Sequence, residues 1–298
     1  MTDGKVFFEK VTIIGVGLIG GSMAMAMKQK GMAGSIVGVG RGLENLEKAV
    51  ELGAVDTFTH NIEDGVRDAD LVVVAVPVLK VVPVIKRLAG SLKRGAIVTD
   101  VGSVKRAIID DVEDELPEGT YFVPGHPIAG TEHSGVGAAF PELFKDRKCI
   151  LTPTERTSQH ALGKIQALWT EMGSVVVIMD PVTHDRALAA ISHLPHIIAY
   201  SLVNTVADVE RYEEDILSYS AGGFRDFTRI ASSSPEMWSD ICAMNRDFIL
   251  DMLGSFKKRI ESMEELIEKG DLKALREDFE RAKSIRDSLV RGERPGAV

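Results

Sequence analysis

A glycine-rich turn near the start of the chain constrains the fold more than any other feature. The segment GVGLIG follows an apolar, β-branched run at Val11–Ile14 and opens an uncharged helical stretch at Ser22–Met27. In this context the first glycine permits a tight turn, the second lets a ligand approach the backbone, and the third allows close helix–strand packing. The free N–H groups of the helix N-terminus would then bind a pyrophosphate. A purely structural turn is the alternative. The predicted dinucleotide contacts are Gly15, Gly17, Leu18, Ile19 and Gly20.

Short β-rich runs alternate with helical stretches up to Met179, which is typical of a parallel sheet covered by helices. Leu71–Val76 is apolar at every position, as expected of a central strand buried on both faces. No strand pattern follows Asp180. We therefore predict a doubly wound (Rossmann) α/β domain over residues 1–179 and an all-α domain over residues 180–298. The predicted strands are Val11–Ile14, Ser35–Val39, Thr57–Thr59, Leu71–Val76, Ala96–Val101, Tyr121–Val123, Cys149–Thr152 and Val175–Met179.

The helical half offers clear start signals. Ser234 followed by proline is typical of an N-cap with proline at the first helical position, and it predicts one long helix reaching Lys269. Asp271 would cap the next helix, which runs to Leu289. Long amphipathic helices of this kind commonly bury their apolar stripes against a second subunit, so we expect a homodimer.

Composition excludes several classes of function. The net charge of −9 disfavours a nucleic-acid partner, which would require a basic face. Cys149 and Cys242 offer neither metal-ligand spacing nor a disulfide framework, which fits a reducing compartment such as the cytoplasm. The uncharged segment Val11–Met27 is too short and too rich in glycine to span a membrane. We therefore expect a cytoplasmic protein without a metal, a membrane or a nucleic acid as partner.

The end of the second predicted strand bears on the choice of cofactor. Sites for NAD usually place Asp or Glu there, where the carboxylate binds the ribose 2′-hydroxyl. This chain has Gly40-Arg41, and its first acidic residue is Glu44. A small residue followed by arginine leaves room and positive charge for the 2′-phosphate of NADP. The cofactor is thus NADP or NAD, with NADP favoured. The alternative is that Arg41 is a solvated loop residue.

Two polar segments follow neighbouring strands at the carboxyl edge of the sheet, where ligands bind in doubly wound folds. Ser103 is placed to cap a helix, and its hydroxyl also faces the ligand crevice. His126 stands in a loop rich in glycine and proline, a position that does not suit a core residue. A neutral imidazole accepts a proton from a substrate hydroxyl while hydride leaves the same carbon. His126 is therefore the candidate catalytic base.

Further polar residues lie in the helical half. His184, His193 and His196 share one apolar helical stretch, so each must be hydrogen-bonded, and at least one is expected to face a ligand. Arg225 and Arg229 lie four residues apart and suit carboxylate recognition, although salt bridges to Asp226 or Glu236 are an equal alternative. Trp238 either closes a pocket or packs in the core.

Five motifs, in this order and spacing, resemble the prephenate/arogenate dehydrogenases of tyrosine biosynthesis. They are GVGLIGGS, DVGSVK, HPIAGTE, ISHLPH and GGFRDFTRIA. The resemblance implies that His126 is the catalytic histidine on the substrate's ring hydroxyl and that Ser103 contacts this histidine and the nicotinamide end of the cofactor. It also implies that Arg229 binds the side-chain carboxylate and that His196 positions the substrate. By the same resemblance, the residues that line or gate the pocket are Thr131, Glu132 and Trp238.

The implied reaction is NAD(P)-dependent oxidative decarboxylation, and the implied architecture is a Rossmann domain followed by a helical domain that dimerises. The motifs do not separate prephenate from arogenate as the substrate. Two alternatives remain at this stage. One is a related hydroxyacid or imino-acid oxidoreductase, which would rely on a lysine in the helical half. The other is a non-catalytic dinucleotide sensor, which would leave the HPIAGTE segment unexplained.

Overall fold

The computed structural model describes residues 6–131, 133–210 and 216–291. Contacts divide the chain into two compact units, Met1–Phe248 and Ile249–Val298. The first unit contains an eight-stranded sheet. Its strands are β1 (Phe8–Ile14), β2 (Ala33–Val39), β3 (Thr57–Thr59), β4 (Leu71–Val74), β5 (Ile97–Asp100), β6 (Tyr121–Pro127), β7 (Lys148–Leu151) and β8 (Val175–Ile178).

The strand order is β3-β2-β1-β4-β5-β6-β7-β8, and every pair from β3 to β6 is parallel. All four residues of β4 are buried, because helices cover both faces of the sheet. The order reverses between β1 and β4, so the carboxyl ends of these strands form the crevice at which doubly wound sheets bind ligands. The predicted doubly wound fold is confirmed, and all eight predicted strands are present.

The far edge of the sheet differs from the predicted parallel arrangement. Residues Tyr121–Pro124 of β6 pair with β5 in parallel, but Gly125–Pro127 continue past the end of β5 and pair with β7 in antiparallel register. The reason is the connection between β6 and β7, which returns without a long crossover helix, and only such a crossover keeps neighbouring strands parallel. β6 is consequently four residues longer than predicted, and its last residues project beyond the edge of β5.

Helices account for the regular structure of the described residues that follow β8, as predicted. The long helix expected from Pro235 to Lys269 is interrupted at Asn245, where the buried side chain donates to the Asp185 carbonyl oxygen at 2.8 Å. The α-helices are α1 (Leu18–Lys30), α2 (Leu43–Glu51), α3 (Ile62–Val66), α4 (Val78–Leu88), α5 (Arg106–Val112), α6 (Gln159–Glu171), α7 (Pro181–Leu188), α8 (Leu194–Glu210), α9 (Gly222–Thr228), α10 (Pro235–Met244), α11 (Arg246–Glu268) and α12 (Leu272–Val290).

A π-helical segment, Ala189–His193, joins α7 to α8. The whole stretch Pro181–Val209 is long and apolar enough to cross a membrane by length and composition, and 22% of its most apolar window is buried. Such composition is shared by membrane spans and by packed helices of soluble proteins. Here the stretch carries His184, Asp185 and His193, whose side chains are buried and hydrogen-bonded within the protein.

The unit Ile249–Val298 comprises most of α11 together with α12. The carboxylate of Asp271 accepts a hydrogen bond from the Ala274 N–H at 3.0 Å, so the predicted cap of α12 is confirmed. Within the unit, Arg259 on α11 forms a salt bridge with Asp278 on α12.

Candidate active site

The GVGLIG turn connects β1 to α1 at the point where the strand order reverses. Gly15 has a φ of +92°, and a Cβ added there would lie 2.2 Å from the Ala75 carbonyl oxygen. A Cβ at Gly20 would lie 2.2 Å from the Gly15 carbonyl oxygen, whereas nothing stands within 4 Å of one at Gly17. The first and third glycines are thus needed for packing, and the second leaves open space in front of the helix. Gly17 caps α1 without a side-chain hydrogen bond, so the N-terminal N–H groups stay available to an anion.

A cavity of about 520 Å³ extends from this turn. Gly15, Gly17, Arg41, Lys80 and the end of β4 line it. None of the described residues around it carries a carboxylate. Arg41 and Lys80 are exposed, and neither makes a salt bridge within the described part of the chain. The size, the open glycine backbone and the positive charge fit a dinucleotide. Leu18 and Ile19 begin α1, and their partly buried side chains pack against the core.

His126 lies within β6 and not in a loop after the strand, which corrects the expectation from the sequence. It occupies the extension of β6 that pairs with β7, opposite Ile150. Its partly exposed side chain lines a second cavity, of about 640 Å³. Pairing with β7 therefore fixes the backbone of the candidate base and of the residue on each side of it. The other polar side chains that line this cavity are Thr131, Glu142, Lys145, Arg147, Ser192 and His196.

The hydrogen-bond partner of His126 is also different from the one expected. Nδ1 of His126 lies 2.9 Å from Nε2 of His184, a residue on α7 that is fully buried. Ser103, which was expected to contact His126, makes no hydrogen bond to it within the described residues. Ser103 is also not a helix cap, because α5 starts three residues later and has Lys105 at its N-cap position. It lies on the β5–α5 loop, partly exposed.

A buried ion pair lies beneath the candidate base. Lys105 and Asp100 are both fully buried, and they form a salt bridge. The Lys105 ammonium also donates to the Gly125 carbonyl oxygen at 2.8 Å, and the Asp100 carboxylate accepts from the Gly102 N–H at 2.9 Å. The pair thereby connects the end of β5 to the residue that precedes His126.

His196 and Trp238 form the wall contributed by the helices. Their rings are stacked, with centroids 3.8 Å apart and planes inclined by 22°. The His196 Nδ1 lies 2.9 Å from the Ser192 carbonyl oxygen, which accepts its N–H, so Nε2 is left without a donor hydrogen in the neutral ring. Trp238 is 7% exposed, so it supports His196 from the core and does not itself line the cavity.

Arg229 follows α9 and is exposed, close enough to His196 for its charge to lower the pKa of that imidazole. Neither of the salt bridges considered for it, to Asp226 or Glu236, forms among the described residues. Arg225 instead approaches the Ser220 hydroxyl at 3.4 Å. Arg229 thus presents a cation near His196 without a salt bridge among the described residues, but it is not one of the residues that line the cavity. Glu132 lies outside the described residues.

His126 and His196, which line the cavity, are held neutral, and so is His193, which is buried and does not line it. Desolvation lowers the pKa of His126 well below the usual range for histidine, and the charges of His184 and Lys105 lower it further. Desolvation likewise lowers the pKa of His193, to about 4, and that of His196. A neutral imidazole at His126 has a lone pair that can accept a proton at physiological pH.

Two family models match this chain along most of its length. The model described as "Prephenate dehydrogenase, nucleotide-binding domain" matches residues 23–178, and the model described as "Prephenate dehydrogenase, dimerization domain" matches residues 180–281. The first of these covers more than half of the chain. The chain belongs to the prephenate dehydrogenase family.

Individual relatives agree with the family models. The chain is 38% identical over 282 residues to prephenate dehydrogenase of Bacillus subtilis (strain 168), covering 94% of this chain and 76% of that protein. It is 39% identical over 285 residues to cyclohexadienyl dehydrogenase of Zymomonas mobilis, covering 95% and 96% of the two chains. The crystal structure of prephenate dehydrogenase from A. aeolicus, in complex with hydroxyphenyl propionate and NAD+, matches with a TM-score of 0.90 at 38% identity. That match covers 96% of this chain and all of the A. aeolicus chain.

The sequence alone did not reveal several polar residues of the site, among them Lys105, Asp185, Lys145 and Arg147. Lys105 stands in the DVGSVK motif, but nothing in the motif indicated that its side chain is buried. Asp185 follows His184 directly, and this His-Asp pair is the one signal that could have indicated a hydrogen-bonded unit. Lys145 and Arg147 precede β7 and reach the cavity only because β7 runs antiparallel to β6.

Proposed function

We propose that this protein catalyses the NAD(P)-dependent oxidative decarboxylation of prephenate to 4-hydroxyphenylpyruvate, or of arogenate to tyrosine, in tyrosine biosynthesis. The observation that carries the proposal is the position of His126. A neutral imidazole projects from the end of β6 into a cavity that it shares with His196. The relatives support the choice of substrate, since the A. aeolicus enzyme was crystallised with hydroxyphenyl propionate, an aromatic ligand with one carboxylate.

The residues supply acid–base and binding chemistry. NAD(P)+, when bound, accepts the hydride that leaves the hydroxyl-bearing ring carbon. His126 accepts the hydroxyl proton, so a carbonyl forms as the hydride departs. The electrons of the bond to the ring carboxylate then enter the ring as CO2 leaves, the ring becomes aromatic, and the phenolate oxygen takes back the proton from His126. Because aromatisation drives the reaction, the protein chiefly has to orient the substrate and remove one proton.

The substrate carries two carboxylates, and the cavity offers cations to meet them. We assign Arg229 to the side-chain carboxylate, with His196 holding the substrate between Arg229 and His126. Lys145 and Arg147 line the same cavity, are exposed, and make no salt bridge within the described ranges. Glu142 is the carboxylate among the described lining residues, so the two cations outnumber it and favour the approach of a dianion to a protein whose net charge is −9. Thr131 lines the same cavity. For Glu132 and Ser103 we propose the roles that the resemblance implies, at the pocket and at the nicotinamide end of the cofactor.

For the cofactor, we propose that NADP is accepted at least as well as NAD. The cavity beside the GVGLIG turn presents Arg41 and Lys80, and no carboxylate among the described residues that line it. A carboxylate would bind the ribose 2′-hydroxyl of NAD and repel the 2′-phosphate of NADP, whereas arginine attracts that phosphate. The Gly15, Gly17 and Gly20 backbone would bind the pyrophosphate of either cofactor.

One absorbance assay tests both proposals. Prephenate and arogenate are each incubated with NAD and with NADP, and formation of the reduced nicotinamide is followed. We expect turnover of at least one substrate and a kcat/KM with NADP no lower than with NAD. An Arg41→Ala variant should lose several-fold in kcat/KM with NADP and change little with NAD. Failure of both substrates with both cofactors would refute the function, and a loss shared equally by both cofactors would refute the role of Arg41.

We further propose that the chain divides at residues 179 and 180 into a dinucleotide-binding and a dimerising part, and that it forms a cytoplasmic homodimer. The limits of the two family models support this division. Exposed apolar side chains on the helices after β8, such as Ile191, Ile267 and Leu272, support a further subunit contact. Light scattering should give about twice the chain mass of 32.4 kDa, and a monomeric mass at micromolar concentration would contradict the proposal.

A further inference from the structure

A line of hydrogen bonds leads from His126 away from the cavity to a buried carboxylate. The His126 Nδ1 lies 2.9 Å from His184 Nε2, and the His184 Nδ1 lies 2.7 Å from the Asp185 Oδ1. His184 is fully buried and Asp185 is 2% exposed. Neither residue lines the cavity that His126 shares with His196. His184 and Asp185 therefore lie behind the cavity wall, and His126 is the cavity-lining side chain to which His184 is hydrogen-bonded.

Asp185 is held by backbone groups from other elements. Its Oδ1 accepts from the Lys105 N–H and its Oδ2 from the Arg106 N–H, both at 2.9 Å. Its carbonyl oxygen accepts from the Asn245 side chain at 2.8 Å. The carboxylate thus caps the start of α5 from another helix, and each of its oxygens is already an acceptor. Such a fixed acceptor requires a donor on His184, so Nδ1 of His184 carries its proton.

This arrangement determines the tautomer of His126. With the proton of neutral His184 on Nδ1, its Nε2 has a lone pair and can only accept. His126 must then donate from Nδ1–H, which leaves the lone pair of His126 on Nε2. We propose that His184 and Asp185 are positioning residues that hold His126 in the Nδ1–H tautomer, with the basic Nε2 available to the substrate hydroxyl. This inference rests on the proposed function for its kinetic consequences, but not for the tautomer itself.

The same line stabilises the product of proton transfer. When Nε2 takes the hydroxyl proton, His126 becomes an imidazolium, and its Nδ1–H remains bonded to His184, whose far side faces the Asp185 carboxylate. Other groups act on this charge as well. Burial disfavours the imidazolium, as do the charges of His184, Lys105 and His193, so the pKa of His126 is lowered, and burial raises the pKa of the Cys149 thiol. Asp185 is the carboxylate linked to His126 by hydrogen bonds.

The test uses the full-length enzyme and three variants, Asp185→Asn, His184→Asn and His193→Asn. His193 is the matched control, because it is as buried as His184 but bonds to Asn245 and not to His126. We expect kcat to fall about 10- to 50-fold in the first two variants, with KM within about threefold of wild type, as for partial loss of general-base catalysis. The His193→Asn variant should keep kcat within about threefold.

The pH profile of kcat/KM gives a readout that a purely structural role would not move. The base must be neutral, so activity is lost as the pH falls through its pKa. Loss of the carboxylate in Asp185→Asn destabilises the imidazolium, which shifts this acidic limb to lower pH. The His193→Asn variant keeps the Asp185 carboxylate. The pH at which its kcat/KM falls on the acidic side should therefore stay nearer to that of wild type than in Asp185→Asn.

Nitrogen-15 NMR of histidine-labelled enzyme tests the tautomer without any turnover. The His126 signals, assigned by their loss in His126→Asn, should show a protonated Nδ1 and an unprotonated Nε2 at neutral pH. A protonated Nε2, or unchanged kcat and pH profile in both Asp185→Asn and His184→Asn, would overturn the inference. Absence of turnover in the wild-type enzyme would instead refute the proposed function, and the NMR result would still decide the role of His184 and Asp185.

Discussion

Replacing His126 by asparagine should lower kcat by a factor of at least ~100, the usual scale for loss of a general base, while cofactor affinity stays within about twofold. Asparagine keeps a polar side chain of similar reach at the end of β6, but it cannot accept a proton from the hydroxyl at neutral pH. The dinucleotide cavity, around Gly15 and Arg41, does not include His126, so binding there should be unaffected. Steady-state kinetics and a fluorescence titration with the reduced cofactor give the two quantities. Turnover near that of wild type would exclude His126 as the base.

Arg229→Ala is the matched counterpart, because it removes a group assigned to binding and not to proton transfer. Its exposed guanidinium has no salt bridge among the described residues to mask the change. We expect the substrate KM to rise about 10-fold or more, as for loss of a charged hydrogen bond, with a smaller change in kcat. If kcat fell while KM stayed constant, Arg229 would have a role in the transition state instead of in substrate binding.

The fold was predictable because local patterns and tertiary structure agree over the first half of the chain. Leu71–Val76 has the composition of a central strand, and the central strand β4 lies there. The GVGLIG turn joins the first strand to the first helix, as the sequence predicted. The antiparallel pairing of β7 was not predictable, because the direction of a strand depends on the path of the preceding connection and not on the strand's own composition.

The candidate site was predictable in part. His126, His196 and Thr131 line one cavity, as their motifs indicated, because they follow or face the carboxyl edge of the sheet. His126 is hydrogen-bonded to His184, and Ser103 makes no hydrogen bond to it among the described residues. The sequence did not indicate His184 as the partner, because that contact depends on how far β6 extends, and sequence patterns define strand length only to within a few residues.

The buried pair of Lys105 and Asp100 is the other feature that no sequence pattern indicated, and it should dominate stability at the site. We expect Lys105→Met to lower the free energy of unfolding by about 3–5 kcal/mol, because it leaves an uncompensated carboxylate in the core. It also removes the hydrogen bond to the Gly125 carbonyl oxygen, next to His126. Urea denaturation measures the change. Lys86→Met is the control, since its salt bridge with Glu115 is exposed and its loss should change the free energy of unfolding far less.

A double-mutant cycle separates the ion pair from simple loss of packing. If the cost in Lys105→Met arises from the unpaired charge, then adding Asp100→Asn should recover a large part of it, because the neutral amide no longer needs a buried cation. If the cost arises from the shape of the methionine, the two losses should add. A loss below about 1 kcal/mol in Lys105→Met alone would mean that water or a backbone shift compensates Asp100. The Lys105 ammonium would then not be required to stabilise the ends of β5 and β6 next to His126.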